Sequence, residues 1–340
     1  MKLSIIKLRL LFARYNRLLR FAVTGLVIVL VVIAARQQFA GIKLDEIRRA
    51  ARELSVPRLL WSALLGLACF LIAGIYDVVQ DYFHASALSK FKLLWIGWTS
   101  QAFGRFLGFG GLSGGALRLK LYQRYHSNRD NTMGYAARIW ASGLTGVCMY
   151  LMLGLPFAVG IYEPFLLLLC FVFSLYLPFY YLTGLIKIGR LNIRDSQIGK
   201  MPLREKLSLH LVSLLEWLGS FTFFAYTIRL FSPGVNLPLL FFVFVAATAL
   251  GYMSFIPGGF GSFDLAAISM LGIIGLEKEK VVLSLLLYRL IFFFLPFFLF
   301  TTILGINSFL RFRRRKRPRH KSQELPKGTE RNILKDAGLE

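Results

Sequence analysis

Long apolar runs alternate with short basic segments along the whole chain. Apolar stretches of membrane-span type cover residues 21–35, 59–80, 138–161, 164–186, 207–230 and 281–310. A helix needs about 20 apolar residues to cross a hydrocarbon core of about 30 Å, so the pattern predicts an all-α, polytopic transmembrane helical bundle. Residues 36–58 instead mix apolar and basic positions at helical spacing, which indicates an interfacial amphipathic helix that ends before Pro57.

Two further apolar segments, 91–115 and 237–276, are interrupted by glycine and proline. Proline removes a backbone donor and glycine leaves the chain free to turn, so we expect the helix to break in both segments. In lipid, irregular backbone is tolerated only where protein surrounds it or a wet cavity solvates it, so each break marks a candidate site. The predicted broken-helix elements are Gly108, Gly110, Gly111, Gly114, Gly115, Pro257, Gly258, Gly259 and Gly261.

The formal net charge of +24 changes this picture by fixing an orientation. Basic residues lie mostly between the apolar runs and at the two ends, where they set topology and attract anionic headgroups. We therefore expect phospholipid partners and no nucleic acid. The domain prediction is a basic cytoplasmic N-terminus at 1–20 with an uncleaved anchor after it, one transmembrane domain at 21–310, and a basic, disordered cytoplasmic tail at 311–340.

Basic loops 118–138 and 187–206 should also be cytoplasmic, because Lys and Arg near span ends stay inside. The count of passes is then consistent only if segment 91–115 enters and leaves from the cytoplasm, and segment 237–276 from the outside. Both segments are therefore predicted to be re-entrant hairpins of opposite orientation, as in transporters with a substrate site near the midplane. The alternative is that 237–276 forms two full spans.

Charged side chains inside apolar spans are the next candidates, because each costs about 2.5–3.5 kcal/mol at a helix centre and needs a partner or a cavity. Arg118 follows the glycines of the first segment and is either a topology determinant or a headgroup ligand. Arg118 and Arg289 suit a lipid phosphate, and the carboxylates Asp77, Glu216 and Asp264 suit an aminoacyl ammonium. Asp264 lies next to the second break, where Arg289 and Glu216 could share one headgroup. The alternative is an internal salt-bridge network that only holds helices together. The charges within spans are Asp77, Arg105, Glu216, Arg229, Asp264 and Arg289, of which Asp77 and Arg229 lie nearer span ends.

Familiar cofactor and metal motifs are absent from the sequence. The glycines around position 110 do not form a dinucleotide fingerprint, and no P-loop, HExxH pair or nucleophile elbow occurs. Cys69, Cys148 and Cys170 all lie within apolar segments without metal-ligand spacing, so they are predicted to be packing residues. We expect neither a cofactor nor a metal site.

Several motifs together resemble the membrane part of the bacterial multiple peptide resistance factor family, the lysyl-phosphatidylglycerol synthase/flippases. They are Tyr76-Asp77, Gly108-Phe-Gly-Gly-Leu-Ser-Gly-Gly-Ala-Leu-Arg118, Glu216-Trp-Leu218, Ser254-Phe-Ile-Pro-Gly-Gly-Phe-Gly-Ser-Phe-Asp-Leu265 and Leu285-Leu-Leu-Tyr-Arg289. The resemblance implies functional positions at Asp77, Arg118, Glu216, Asp264 and Arg289. It also implies a multi-pass protein of the bacterial cytoplasmic membrane with both termini in the cytoplasm.

The leading hypothesis is a translocator that moves aminoacylated (lysyl-) phosphatidylglycerol or a related phospholipid between leaflets, contributing to resistance against cationic antimicrobial peptides. The alternative is the phosphatidylglycerol lysyltransferase reaction of full-length family members. Those members continue into a soluble domain that the sequence ending at Glu340 lacks, so we expect no transferase activity from this polypeptide alone. A third hypothesis is a non-catalytic scaffold that recruits a separate synthase; a homo-oligomer is compatible with all three.

Overall fold

The structure is a computed structural model that describes Asp45, Arg52 and residues 54–86, 88–108, 111–125, 129–157, 164–188, 191–254 and 257–316. The predicted span 21–35, nearly all of the amphipathic segment, the N-terminal segment, the tail after Lys316 and Gly110 lie outside these residues. One compact unit extends to Phe297, and a second begins at Phe298.

The described residues are almost entirely helical. A two-stranded antiparallel hairpin, β1 (Lys187–Ile188) and β2 (Leu191–Asn192), lies in the predicted basic loop 187–206. The helices are α1 (Val56–Leu71), α2 (Ile75–His84), α3 (Lys90–Leu107), α4 (Leu112–Arg124), α5 (Arg129–Gly143), α6 (Thr145–Gly154), α7 (Pro164–Ser174), α8 (Tyr176–Leu182), α9 (Leu203–Phe231), α10 (Leu237–Met253), α11 (Ser262–Ile273), α12 (Lys278–Arg289) and α13 (Leu295–Lys316). A π-helical turn, Leu290–Phe294, joins α12 to α13, so helix continues into the first residues of the predicted tail.

Within the described part of the chain, four helical stretches are long and apolar enough to cross a membrane: Val56–His84, Met133–Gly154, Leu203–Phe231 and Lys278–Asn307. They correspond to the predicted spans 59–80, 138–161, 207–230 and 281–310, and they confirm a helical bundle of membrane type. Exposed leucines at positions 207, 211, 215 and 218 of α9 recur at helical spacing and form an apolar outer stripe.

The predicted span 164–186 is not one helix, because α7 ends at Ser174 and α8 begins at Tyr176. Pro178 has no N–H to donate to the carbonyl of Ser174, four residues earlier. The Ser174 hydroxyl also donates to the Phe171 carbonyl at 2.6 Å and competes with the backbone for that acceptor. The helix is therefore interrupted at Leu175, and its apolar part, Leu166–Leu182, is shorter than the four stretches above.

Both glycine-rich segments break the helix and fold back on themselves. Helices α3 and α4, here called the first hairpin, contact each other on either side of a break at Gly108 and Gly111, where φ is +69° and +83°. Helices α10 and α11, the second hairpin, contact each other across a break where Gly258 and Gly259 have φ of +63° and +60°. Side chains with a Cβ rarely adopt such angles, which explains glycine at these turns.

Helix α9 is the central element of the bundle. It contacts α1, α2, α5, α6, α10 and α12, and it places Glu216 near its middle. The tips of the two hairpins meet beside it, since the Phe106 and Phe260 rings lie 6.2 Å apart in an edge arrangement. The fold therefore brings both helix breaks and the central helix to one place.

Candidate functional site

A cavity of about 150 Å³ lies where the two hairpin tips face α5, α9 and α12. Five of the predicted broken-helix positions line it: Gly108, Gly111, Gly115, Gly258 and Gly259. Gly114, Pro257 and Gly261 are not in the lining, and Gly114 and Gly115 lie within α4, so the prediction of a helix break at these two glycines is wrong. Aromatic residues of the π-helical turn, Phe292 and Phe293, complete part of the wall. A cavity of this size, with charged side chains in its wall, has room for several water molecules or a small polar group.

Arg105 and Glu216 form an ion pair on this cavity. The Nη2 atom of Arg105 donates to Oε1 of Glu216 at 2.7 Å, and Gln101 donates to the same oxygen at 3.1 Å. The Arg105 guanidinium also lies 4.4 Å from the ring centroid of Phe292 and 5.2 Å from that of Phe70. Within the described part of the chain, its buried Nη1 atom has no hydrogen-bond partner.

Arg289 and Asp264 form a second, bidentate pair at the tip of the second hairpin. Nε and Nη2 of Arg289 donate to the two Asp264 oxygens at 3.0 and 2.9 Å. The same guanidinium donates to the carbonyls of Gly258 and Gly259 at 2.8 and 3.2 Å. Asp264 also accepts from the Gly261 N–H at 3.0 Å, so this pair closes the turn.

Arg118 and Asp77 form the third pair and fasten the first hairpin to α2. Nε and Nη2 of Arg118 donate to the two Asp77 oxygens at 3.1 and 3.2 Å, and the Tyr122 hydroxyl donates to Asp77 at 3.0 Å. Asp77 is fully buried and Arg118 is 3% exposed. Gly97 makes room for this carboxylate, because a Cβ there would lie 2.6 Å from Oδ2 of Asp77.

All five predicted site residues are buried, and the structure divides them among these three pairs. Arg118, Glu216 and Arg289 line the cavity, while Asp77 and Asp264 hold two of the lining arginines. Glu216 and Arg289 share the cavity lining, and Glu216 forms its ion pair with Arg105. Arg229 is exposed and donates to the carbonyl of Val235 near the end of α9, away from the cavity.

A second buried polar cluster was missed from the sequence. Glu205 is fully buried and accepts through Oε1 from Gln80 at 2.9 Å and from Arg138 at 3.4 Å, with His84 Nε2 at 3.0 Å from the same oxygen. The spacing of Gln80 and His84 on α2 was the available signal, because residues four apart share a helix face. Glu205 lies eleven residues before Glu216 on α9, about 16 Å along the axis, so this cluster is separate from the cavity.

Among the residues that the structure describes, no group of His, Cys, Asp and Glu is arranged to hold a metal ion. The cavity instead offers guanidinium donors, one carboxylate and aromatic walls. Such a site suits a group that carries both an anion and a cation.

No family model matches the chain. Proteins named phosphatidylglycerol lysyltransferase from Bacillus subtilis (strain 168) and Staphylococcus aureus (strain MSSA476) are 28% and 27% identical to it over 287 and 276 residues. These matches cover 80% and 79% of this chain, but only 32% and 31% of the relatives, so the chain spans about a third of their length. They confirm the resemblance that the motifs carry: over about four fifths of its length, the chain is similar to the phosphatidylglycerol lysyltransferase family, the multiple peptide resistance factors.

Proposed function

We propose that this protein moves an aminoacylated phospholipid, lysyl-phosphatidylglycerol or a close relative, between the leaflets of the bacterial cytoplasmic membrane. The observation that carries the proposal is the cavity between the hairpin tips, which is lined by Arg105, Arg118, Arg289 and Glu216. Buried charges of both signs inside an apolar bundle are expensive, and in membrane proteins they mark substrate pathways. The headgroup of such a lipid carries a phosphate and an ammonium, which match these charges.

Helix lengths support a re-entrant placement of the two hairpins. Helix α4 has 13 residues and α11 has 12, which correspond to about 20 and 18 Å. Both are shorter than a hydrocarbon core of about 30 Å. We infer that neither second arm crosses the bilayer and that the cavity lies near the midplane, as at the broken helices of transporters.

Reconstituted vesicles test this proposal. Liposomes carry fluorescent lysyl-phosphatidylglycerol in both leaflets, and a membrane-impermeant reductant bleaches the outer leaflet. We expect bleaching to continue past the outer-leaflet fraction with the wild-type protein. It should fall towards the protein-free level with Arg289→Ala, because that change opens the turn of the second hairpin.

The control variant is Arg229→Ala, since Arg229 is exposed and lies away from the cavity. It should behave as the wild type. Unfolding midpoints measured in parallel separate loss of transport from loss of folding. Wild-type vesicles that bleach no further than empty ones would refute translocation of this lipid.

The second candidate function is the lysyltransferase reaction, because the curated relatives bear that name. To test this reaction, the purified protein is incubated with lysyl-tRNA and phosphatidylglycerol, and the lipids are analysed by mass spectrometry. New lysyl-phosphatidylglycerol would establish a synthase activity for this chain. Transport without product would favour the translocator.

A further inference from the structure

Two of the three arginines on the cavity each hold a carboxylate through two nitrogens, Nε and Nη2. Arg289 donates to both oxygens of Asp264 and to two glycine carbonyls. Arg118 donates to both oxygens of Asp77. A substrate phosphate that took these nitrogens would break bidentate pairs that also hold the hairpins in place.

Arg105 differs from both in its hydrogen bonding. It meets Glu216 through Nη2 alone, and its buried Nη1 has no acceptor among the residues that the structure describes. Buried donors are almost always paired in native proteins, so an unpaired guanidinium N–H on a cavity-lining side chain indicates a missing acceptor. Phe70 and Phe292 pack beside this guanidinium, with ring centroids 5.2 and 4.4 Å from its central carbon.

Glu216 supplies the opposite charge in the same place. It is the carboxylate in the cavity lining, and Arg105 and Gln101 both donate to its Oε1. Trp217 and Tyr252 line the cavity near it, with ring centroids 5.9 Å apart. A carboxylate beside aromatic rings is a suitable environment for an ammonium group.

We propose that the Arg105–Glu216 pair is the substrate-recognition element, in which Arg105 binds the lipid phosphate and Glu216 binds the headgroup ammonium. The substrate class is then a phospholipid whose headgroup carries both groups. Arg118 and Arg289 act as positioning residues that hold the hairpin tips. This inference rests on the proposed function and replaces the sequence-based assignment of Arg118 and Arg289 to the phosphate.

The position of Arg105 couples binding to both hairpins. Its side chain lies three residues before the break at Gly108, and its carbonyl lies 3.0 Å from where a Cβ of Gly258 would stand. Binding of a phosphate to Arg105 would therefore change the contact between the tips of the two hairpins.

Binding of short-chain lipids to the purified protein in detergent tests the assignment, with tryptophan fluorescence or native mass spectrometry as the readout. The three probes are dioctanoyl lysyl-phosphatidylglycerol, dioctanoyl phosphatidylglycerol, which lacks the ammonium, and lysine glycerol ester, which lacks the phosphate. Arg105→Gln should weaken both phosphate-bearing probes about tenfold or more, because it removes a charge-assisted hydrogen bond. Glu216→Gln should weaken only the two lysyl probes.

Arg105→Gln leaves Glu216 without its charged partner, so folding is checked by the unfolding midpoint. The double variant Arg105→Gln/Glu216→Gln removes both charges together and keeps the side-chain volumes similar. It should fold and lose preference for the lysyl lipid over phosphatidylglycerol. Arg229→Gln, the matched arginine outside the cavity, should bind all probes as the wild type does.

The outcomes separate this inference from the proposed function. Wild-type vesicles that fail to translocate the lipid contradict the proposed function itself. Wild-type transport combined with unchanged phosphate affinity in folded Arg105→Gln, or in the folded double variant, overturns the assignment of Arg105. Loss of phosphate affinity in Arg118→Lys or Arg289→Lys with an unchanged unfolding midpoint overturns their positioning role.

Discussion

At the scale of single residues, each of the three carboxylates at the site is buried against an arginine from another helix. Removing a charge from water is costly, and the ion pair offsets that cost only when both partners are present with good geometry. Asp77 and Asp264 satisfy this condition with bidentate contacts to Arg118 and Arg289. From the sequence, these charges could form either a structural ion-pair network or a binding site. In the structure, the same residues form the ion pairs and the candidate site.

The substitution Asp77→Asn should destabilise the protein by about 3 kcal/mol or more, because it leaves the buried Arg118 without a counter-charge. The measurement is the free energy of unfolding in detergent. The double variant Asp77→Leu/Arg118→Met should regain much of the loss, since it buries no charge.

The exposed pair of Glu277 and Lys280, with contact at 2.9 Å, serves as the control. Glu277→Gln should change stability by no more than about 0.5 kcal/mol, because exposed ion pairs contribute little. If Asp77→Asn is as stable as Glu277→Gln, the buried pair does not hold the first hairpin.

At the scale of elements, glycines set how closely the arms of the first hairpin approach. A Cβ at Gly114 would lie 2.5 Å from the carbonyl oxygen of Ser100 and 3.0 Å from Cα of Gly104. Helices α3 and α4 therefore contact each other backbone to backbone, as small residues allow in membrane proteins. At Gly115, the next residue, an added Cβ would have no heavy-atom neighbour within 4 Å in the described part of the chain, and this glycine lines the cavity.

Gly114→Ala should destabilise the hairpin by about 1–3 kcal/mol, because a methyl group there forces α3 and α4 apart. Gly115→Ala is the matched control in the same helix. It should be neutral or stabilising by up to about 1 kcal/mol, because alanine loses less backbone entropy in a helix and meets no neighbour here. Unfolding midpoints of the two variants in detergent compare them directly, and equal destabilisation would contradict close packing at Gly114.

At the scale of the whole molecule, apolar helices surround a polar centre. The outer leucine stripe of α9 faces outward, while Glu216 on the same helix faces the cavity. Buried charges therefore collect at the meeting point of the hairpin tips, with the Glu205 cluster as a second buried polar group. The proposed re-entrant topology follows from the lengths of α4 and α11 together with the distribution of positive charge.

Single cysteines test that topology with a membrane-impermeant maleimide. Lys90→Cys and Lys120→Cys, at opposite ends of the first hairpin, should both react only from the cytoplasmic side. Asn236→Cys and Glu277→Cys, which flank the second hairpin, should both react only from the outside. The parent protein is the background control, because its three cysteines are buried. Labelling of positions 90 and 120 from opposite sides would exclude a re-entrant first hairpin.

Local features of the fold were predictable from the sequence, because hydropathy and backbone freedom are properties of a few consecutive residues. The four long helices and the breaks at Gly108 and Gly258 are features of this kind. The division of 164–186 into two helices was missed even though its cause, Pro178, is local. The Glu205 cluster was missed because its members belong to segments assigned to span ends and loops.

The amino-acid sequence established an apolar helical bundle with two backbone breaks and buried charges of both signs. Only the tertiary structure decided which arginine meets which carboxylate, since the partners lie 25, 41 and 111 residues apart. Ion pairing depends on which helix faces meet, and no local window contains that information. It is also this packing that gives Arg118 and Arg289 bidentate carboxylate partners and leaves Nη1 of Arg105 without a hydrogen-bond partner among the residues that the structure describes.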